Sequence, residues 1–326
     1  MRRGRVTLFA ALSFLVALAP SIGAQSDYSG QRITLTVFAA GTLAAPFNRI
    51  AEEFMKLHPE VRIQSQFGGS VKMVKQVTEL GQIADVVAVA DYRVIPKYMF
   101  GGKGEMPKAY WYAGFATNGI TFVYTPKSKY ASEINASNWY DILSRSGVEI
   151  GRSNPDTDPS GYQTVQMLDL ASKFYAKPGL DAAILANAPK TNMRDTETEL
   201  VAALESGQID YLGIYLSDAR QHHFNYLDLP PEINLSDAKF AGSYAKSSVK
   251  TANGVVTGVP IVYAITVPTD SDHPDWAAQF VAYVLGENGR KAMAESGFGT
   301  LSPPYAVNAD KMPAYIQPVV APWPKD

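Results

Sequence analysis

Glycine and hydroxyl residues recur where apolar runs end in this chain, a placement that suits anion capture. Gly41-Thr42 follows the apolar run 33–38, and Gly68-Gly69-Ser70 follows 61–67, each just before a helical pattern. Where a strand gives way to a helix, free main-chain N–H groups point outward and a neighbouring hydroxyl adds a donor for an oxyanion. Either hydroxyl alone would serve equally well as a helix cap; the two together point towards a shared site. Residues 153–162, SNPDTDPSGY, concentrate turn formers before a helical pattern through Val165, Leu168 and Leu170. Such a loop either presents amides to a ligand or only caps its helix. A further helix opens at Thr196-Glu197-Thr198-Glu199, where acidic residues suit the positive helix end, and runs to Gly207.

Other chemistries lack their residues. With no cysteine in the chain, disulfides, thiolate metal sites and cysteine nucleophiles are excluded. His222-His223 belong to a set of only 4 histidines and read as a polar surface turn. Asp85, Asp91 and Asp210 are scattered acids without paired-carboxylate spacing, and nothing resembles a nucleophile elbow or a phosphate loop. No enzyme activity is expected.

The elements that must position these residues read as an α/β chain. Strands are predicted at 33–38, 61–67, 84–90 and 211–217. Helices are predicted through Phe47, Ile50, Ala51, Phe54 and Leu57, and, with Ser70 as its N-cap, through Val71, Val74, Val77 and Leu80. Alternation of this kind implies a parallel sheet with helices on its faces. Two extended runs, 114–125 and 259–268, look like crossings between domains, the second followed by an amphipathic helix at 276–285. The expected layout is residues 25–117 plus 263–326 as lobe 1 and 118–262 as lobe 2, a hinge arrangement; a single larger domain with a long hairpin is the alternative.

The first residues read as an export signal. Arg2, Arg3 and Arg5 precede a short apolar core that Pro20 interrupts, and Ile22-Gly23-Ala24 offers small residues for cleavage. Residues 1–24 are therefore expected to be a signal peptide cleaved near Ala24, leaving a periplasmic protein with no membrane insertion. The formal net charge of −2 excludes a strongly basic nucleic-acid surface, so any anion site must be local.

FAAGTLAAPF, FGGSVKMVKQV, IADVVAVADYRVIP, NWYDIL, GRSNPDTDPSGY and LDLPPEINLSD, in this order, resemble the archaeal type of periplasmic tungstate- and molybdate-binding proteins, while GIYLSDA looks more like the bacterial molybdate-binding proteins. The resemblance covers nearly the whole mature chain. It implies the class II periplasmic binding protein fold, with two doubly wound lobes joined by two hinge crossings. It also implies capture of molybdate or tungstate as ligand, with no cofactor, and delivery by a monomer to an ABC transporter permease. Position by position, the resemblance puts Thr42 and Ser70 on ligand-binding serines and Ala90 on a donating amide. Asp158 falls on an aspartate that contacts the metal centre, Ser160 on the neighbouring amide position, Glu197 on a main-chain amide, and Tyr215 on a tyrosine whose hydroxyl reaches the oxyanion.

Two departures stand out. Ile214 occupies the place of a second liganding carboxylate, and Arg152 replaces an apolar residue as a candidate rim charge. They leave open a binding protein for sulfate, phosphate or a small organic anion. A two-lobed hydrolase or transferase is the remaining alternative, but no base or nucleophile can be nominated for it.

Overall fold

A computed structural model describes Met1 and residues 32–324. The expected export segment, Met1 apart, lies outside them. No helix among the described residues is long and apolar enough to cross a membrane.

The run ITLTVFAA forms β1 (Ile33–Ala40), which pairs in parallel with β2 (Val61–Gly68) and β3 (Val86–Val89). Alternation sends Leu35, Val37, Ala39, Val86 and Ala88 into one core layer and Phe38, Val87 and Val89 into the other, as strands buried on both faces require. The Ala44–Leu57 helix covers the first layer with Phe47, Ile50 and Phe54, and the Phe54 ring meets Phe280 edge-on at 5.4 Å. Burying each such ring stabilises the lobe by about 1.5–3 kcal/mol. The Ser70–Thr78 and Val94–Met99 helices cover the second layer through Val74, Val77, Ile95 and Met99. Gly69, not Ser70, takes the N-cap position, and Leu80 stands beyond the helix end, 70% exposed. The Ser70 hydroxyl is thus not spent on capping.

β4 (Tyr112–Thr117), β12 (Val262–Thr266), β13 (Gly299–Val307) and β14 (Ala321–Pro322) complete a seven-stranded sheet ordered β14-β13-β4-β12-β3-β1-β2. Its β1–β3 part is parallel as expected; the rest is mixed, because β12 runs antiparallel to both β3 and β4. The physical reason is connectivity: β4 leads out of this lobe and β12 leads back in, so the two lie side by side in opposite directions.

Only Asn118 and Gly119 separate β4 from β5 (Ile120–Tyr124), which belongs to a second sheet. With β6 (Ile150–Ser153), β7 (Met193–Arg194), β8 (Tyr211–Tyr215) and β9 (Asn225–Tyr226) it gives five strands ordered β7-β6-β8-β5-β9. Along β8, Tyr211 and Tyr215 join the core that also takes Met167 and Leu168 from the Pro159–Phe174 helix. Leu212 and Ile214 turn the other way, onto Leu200, Leu204 and Ala219. The hairpin of β10 (Ser248–Thr251) and β11 (Gly254–Thr257) stands outside both sheets and is tied to that helix by Gln166 Nε2, which donates to the Val256 carbonyl at 2.9 Å.

Two of the scattered acids are structural staples. Asp85 accepts from the Thr36 and His273 amides and the Ser271 hydroxyl at 2.7–2.9 Å, while Asp210 accepts from the Lys129 and Glu149 amides. His222 ends the Leu216–Gln221 helix, stacked on Phe224.

Candidate functional site

The carboxyl ends of β1, β2 and β3 face those of β6 and β8 across the line where the lobes meet. The lobes are in contact there. The Lys72 amide donates to the Thr157 carbonyl at 3.3 Å, and a methyl group on Gly69 would come within 2.5 Å of that same carbonyl oxygen. It is the missing side chain, and not the backbone angle, that makes glycine necessary at Gly69, because its φ of −56° is open to any residue. Thr42, Ser70, Ala90, Asp158, Ser160, Glu197 and Tyr215 are all buried in this zone, none more than 4% exposed.

From the first lobe come hydroxyls. Ser70 starts its helix at the end of β2, and its Oγ accepts the Ala90 amide at 2.9 Å, which leaves the hydroxyl proton free to be donated elsewhere. The Ala90 N–H is thereby committed to Ser70. Thr42, in the 3-10 turn Gly41–Leu43 after β1, lies 2.9 Å from the Tyr263 hydroxyl. Asn118 Nδ2 donates to Tyr263 at 3.3 Å and to Ser217 Oγ at 2.8 Å, and Ser217 donates to Asp218 Oδ2 at 3.3 Å. One hydrogen-bonded chain thus runs from Thr42 through both inter-lobe crossings to an acid of the second lobe.

The second lobe contributes carboxyls. Asp158 precedes Pro159 at the head of the Pro159–Phe174 helix without capping it closely, and its carboxyl hydrogen-bonds the Glu197 carboxyl from the Glu197–Leu200 turn. A bond between two carboxyls requires a proton on one of them. Burial and then the neighbouring Asp158 charge push Glu197 well above the usual carboxylate range. Burial also raises Asp158, while the Glu197 side chain and the Ser160 and Ser70 amides pull it back down. The pair therefore holds a shared proton. Asp218 is pushed up to about 7, by burial first. Burial likewise raises Tyr215, so its hydroxyl stays protonated; it donates to Gln163 Oε1 at 2.6 Å.

Four buried oxygens in this region have no hydrogen-bond partner: Ser153 Oγ, Asp158 Oδ2, Ser160 Oγ and Thr164 Oγ1. Unpaired buried polar atoms are costly, each by about 1–3 kcal/mol, and a set of hydroxyls among them is equipped to donate to an anion. Arg152 does not join the group. It follows Gly151 on β6, on the strand face opposite Ser153, and its Nε and Nη1 are buried without partners while burial lowers its pKa. Ile214 is fully buried among apolar side chains, pointing away from the acids. No group of three His, Cys, Asp or Glu among the described residues is arranged to hold a metal ion.

Sequence reasoning missed Asn118, Gln163, Ser217, Asp218 and Tyr263. Asn118 and Tyr263 sit in the two extended runs read as crossings, and that position was the available signal. Gln163 lies next to the quoted DPSGY stretch. Ser217 and Asp218 lie within GIYLSDA but were passed over as the end of a strand; the strand stops at Tyr215 and a helix starts at Leu216.

Comparison with known proteins agrees with this architecture. The profile of the bacterial extracellular solute-binding proteins matches residues 35–299. A protein of Petrotoga mobilis described as an uncharacterized solute-binding protein is 39% identical, with 89% of this chain and 90% of that one covered. The molybdate/tungstate-binding protein WtpA of Pyrococcus abyssi is 38% identical, with 91% and 93% covered. Among solved structures, the periplasmic molybdate-binding protein of Azotobacter vinelandii superposes with a TM-score of 0.60 at 17% identity, over 81% of this chain and 98% of that one, and so shares its two-lobed α/β fold. The chain belongs to the bacterial extracellular solute-binding protein family.

Proposed function

We propose that this protein captures molybdate or tungstate between its lobes and hands it to the permease of an ABC transporter. The observation that carries the reading is the burial of Thr42 and Ser70 at strand ends of the first lobe, together with the buried unpaired Ser153 and Ser160 hydroxyls of the second. Neutral donors of this kind hold a tetrahedral dianion without a counter-charge, in the manner of helix-end anion sites. Likeness to the Pyrococcus abyssi protein over most of both chains supports the choice of anion. In this reading Thr42, Ser70, Ser160 and the main-chain amide of Glu197 line the ligand, with Asp158 beside it and with Ala90 and Tyr215 held behind them by their bonds to Ser70 and Gln163. Lobe 1 comprises 25–117 plus 263–326 and lobe 2 comprises 118–262. The protein works as an exported periplasmic monomer once its leader is cleaved near Ala24.

A second reading, capture of sulfate or another oxyanion, is favoured by Ile214, whose apolar burial removes a carboxylate that the resemblance implies. Calorimetric titration with molybdate, tungstate, sulfate and phosphate decides between them. Molybdate or tungstate is expected to bind far more tightly than sulfate; the reverse order would assign the site to sulfate.

A further inference from the structure

Asp91 is buried one residue beyond Ala90, in the loop after β3. Arg93 of the same loop surrounds it, giving its main-chain amide and Nε to Oδ1 at 2.9 and 3.0 Å and Nη2 to Oδ2 at 2.6 Å. The remaining donor comes from the other lobe: Tyr162 OH donates to Asp91 Oδ2 at 2.8 Å. Tyr162 is buried on the Pro159–Phe174 helix, two residues beyond Ser160, so the element that presents the anion site also carries this hydroxyl. Arg93 Nη1 in turn donates to the Thr257 carbonyl and Lys97 Nζ to the Asn253 carbonyl, both in the hairpin that is tied to the same helix.

We propose that Tyr162 is a closure latch: its bond to the Asp91–Arg93 pair forms only when the lobes meet, and it sets how long a captured anion stays. The inference rests on the reading that the lobes close over an oxyanion. In the separated state Asp91 keeps its bonds to Arg93, so the Tyr162 hydroxyl is the donor that it loses. Tyr162 and Asp91 both line a cavity of about 260 Å³ between the Val94–Met99 helix and the hairpin, so their bond lies at the contact between the lobes. A neutral hydroxyl bound to an ionised acceptor outweighs an ordinary hydrogen bond. By contrast, the cross-lobe ion pair Lys72–Asp195 leaves both side chains more than 40% exposed and contributes little. Holding the closed state acts on escape, not on encounter, so the latch appears in the dissociation rate.

The test compares wild type with Tyr162→Phe, Asp91→Asn, the double variant and, as a control, Asp195→Asn. Molybdate and tungstate binding kinetics are measured together with energy transfer between dyes on Lys103→Cys and Lys250→Cys, a labelling that no native cysteine disturbs. Tyr162→Phe keeps the buried ring, so folding is retained. Its dissociation rate is expected to rise roughly tenfold or more with association unchanged. Its closed fraction should fall with and without anion, the double variant should be no worse than the more affected single one, and Asp195→Asn should leave closure as it is. Unchanged dissociation and closure in Tyr162→Phe, or additive losses in the double variant, overturn the latch. Failure of wild type to bind either anion overturns the functional reading alone, because closure without ligand reads the latch separately.

Discussion

Asp158 and Glu197 share a hydrogen bond between two buried carboxyl groups, which needs a proton between them, and burial raises Glu197 well above the usual carboxylate range. A protonated acid is closer in chemistry to an amide than to a carboxylate. Glu197→Gln is therefore expected to keep both the fold and anion affinity near wild type at pH 7, whereas Glu197→Ala, which withdraws the donor from Asp158, should destabilise by about 1–3 kcal/mol. Thermal unfolding and titration of the two variants check this. A large loss in Glu197→Gln would mean that the ionised carboxylate is the working form.

Asp218 gives a pH dependence of definite sign. Its carboxyl rises from 3.8 to about 7 in the folded chain, so between those values the folded state holds a proton that the unfolded state has lost. Its contribution is thus fully present below pH 4 and declines as pH rises towards 7, by about 1.4 kcal/mol per pH unit for one such group. Melting temperature measured from pH 5 to pH 8 should show this decline in wild type and a flatter profile in Asp218→Asn. Identical slopes would remove Asp218 as the cause.

Gly69 is a test of closure that touches no proposed ligand contact. Its backbone geometry admits alanine, but the added methyl would meet the Thr157 carbonyl oxygen at 2.5 Å when the lobes are together. Gly69→Ala should fold with a ligand-free melting temperature close to wild type and bind its anion at least tenfold more weakly, since backbone on both sides leaves nothing flexible to move aside. Equal affinity would show that the closed arrangement is not the one that binds.

What the sequence revealed and what it hid follow from the range of the interactions. Thr42 and Ser70 were legible because strand, glycine and helix lie within a few residues, so local chemistry alone put a hydroxyl at a strand's carboxyl end. The two crossings were legible as long β-rich runs. The carboxyl pair was not: Asp158 and Glu197 are brought together by the Pro159–Phe174 helix and a separate 3-10 turn, and resemblance gave Glu197 only a main-chain role. The Thr42–Tyr263–Asn118–Ser217–Asp218 chain was hidden for the same reason, as its links span up to 221 residues. The antiparallel setting of β12 depends on which lobe the chain has just left, which no local pattern records.

Ser70 and Thr42 should dominate affinity. Hydrogen bonds to a charged partner are worth about 1.5–3 kcal/mol, so Ser70→Ala or Thr42→Ala is expected to weaken anion binding by roughly ten- to a hundredfold. Ser70→Ala carries an extra cost, because it also leaves the buried Ala90 amide without its acceptor. Its melting temperature should therefore fall more than that of Thr42→Ala. If both variants keep wild-type affinity, the site lies elsewhere.

The coordination of a bound metal centre is where Ile214 matters most. Two carboxylates entering the shell of a tungstate or molybdate centre would raise its coordination from four towards six, and Ile214 offers no oxygen and faces an apolar cluster. Glu197 is the nearest substitute, yet it shares a proton with Asp158, and releasing that proton beside a dianion would leave two adjacent buried negative charges facing a third. Asp158 for its part has the Ser160 and Ser70 amides beside it, which favour its charge without a metal bond. The anion is therefore expected to remain four-coordinate, held by hydrogen bonds alone. X-ray absorption on the molybdate and tungstate complexes reads the oxygen number and distances directly. Six oxygens, two of them at longer distance, would mean that Asp158 and Glu197 together lose their shared proton and bind the metal. Glu197→Gln would then convert the spectrum to that of a five- or four-coordinate centre.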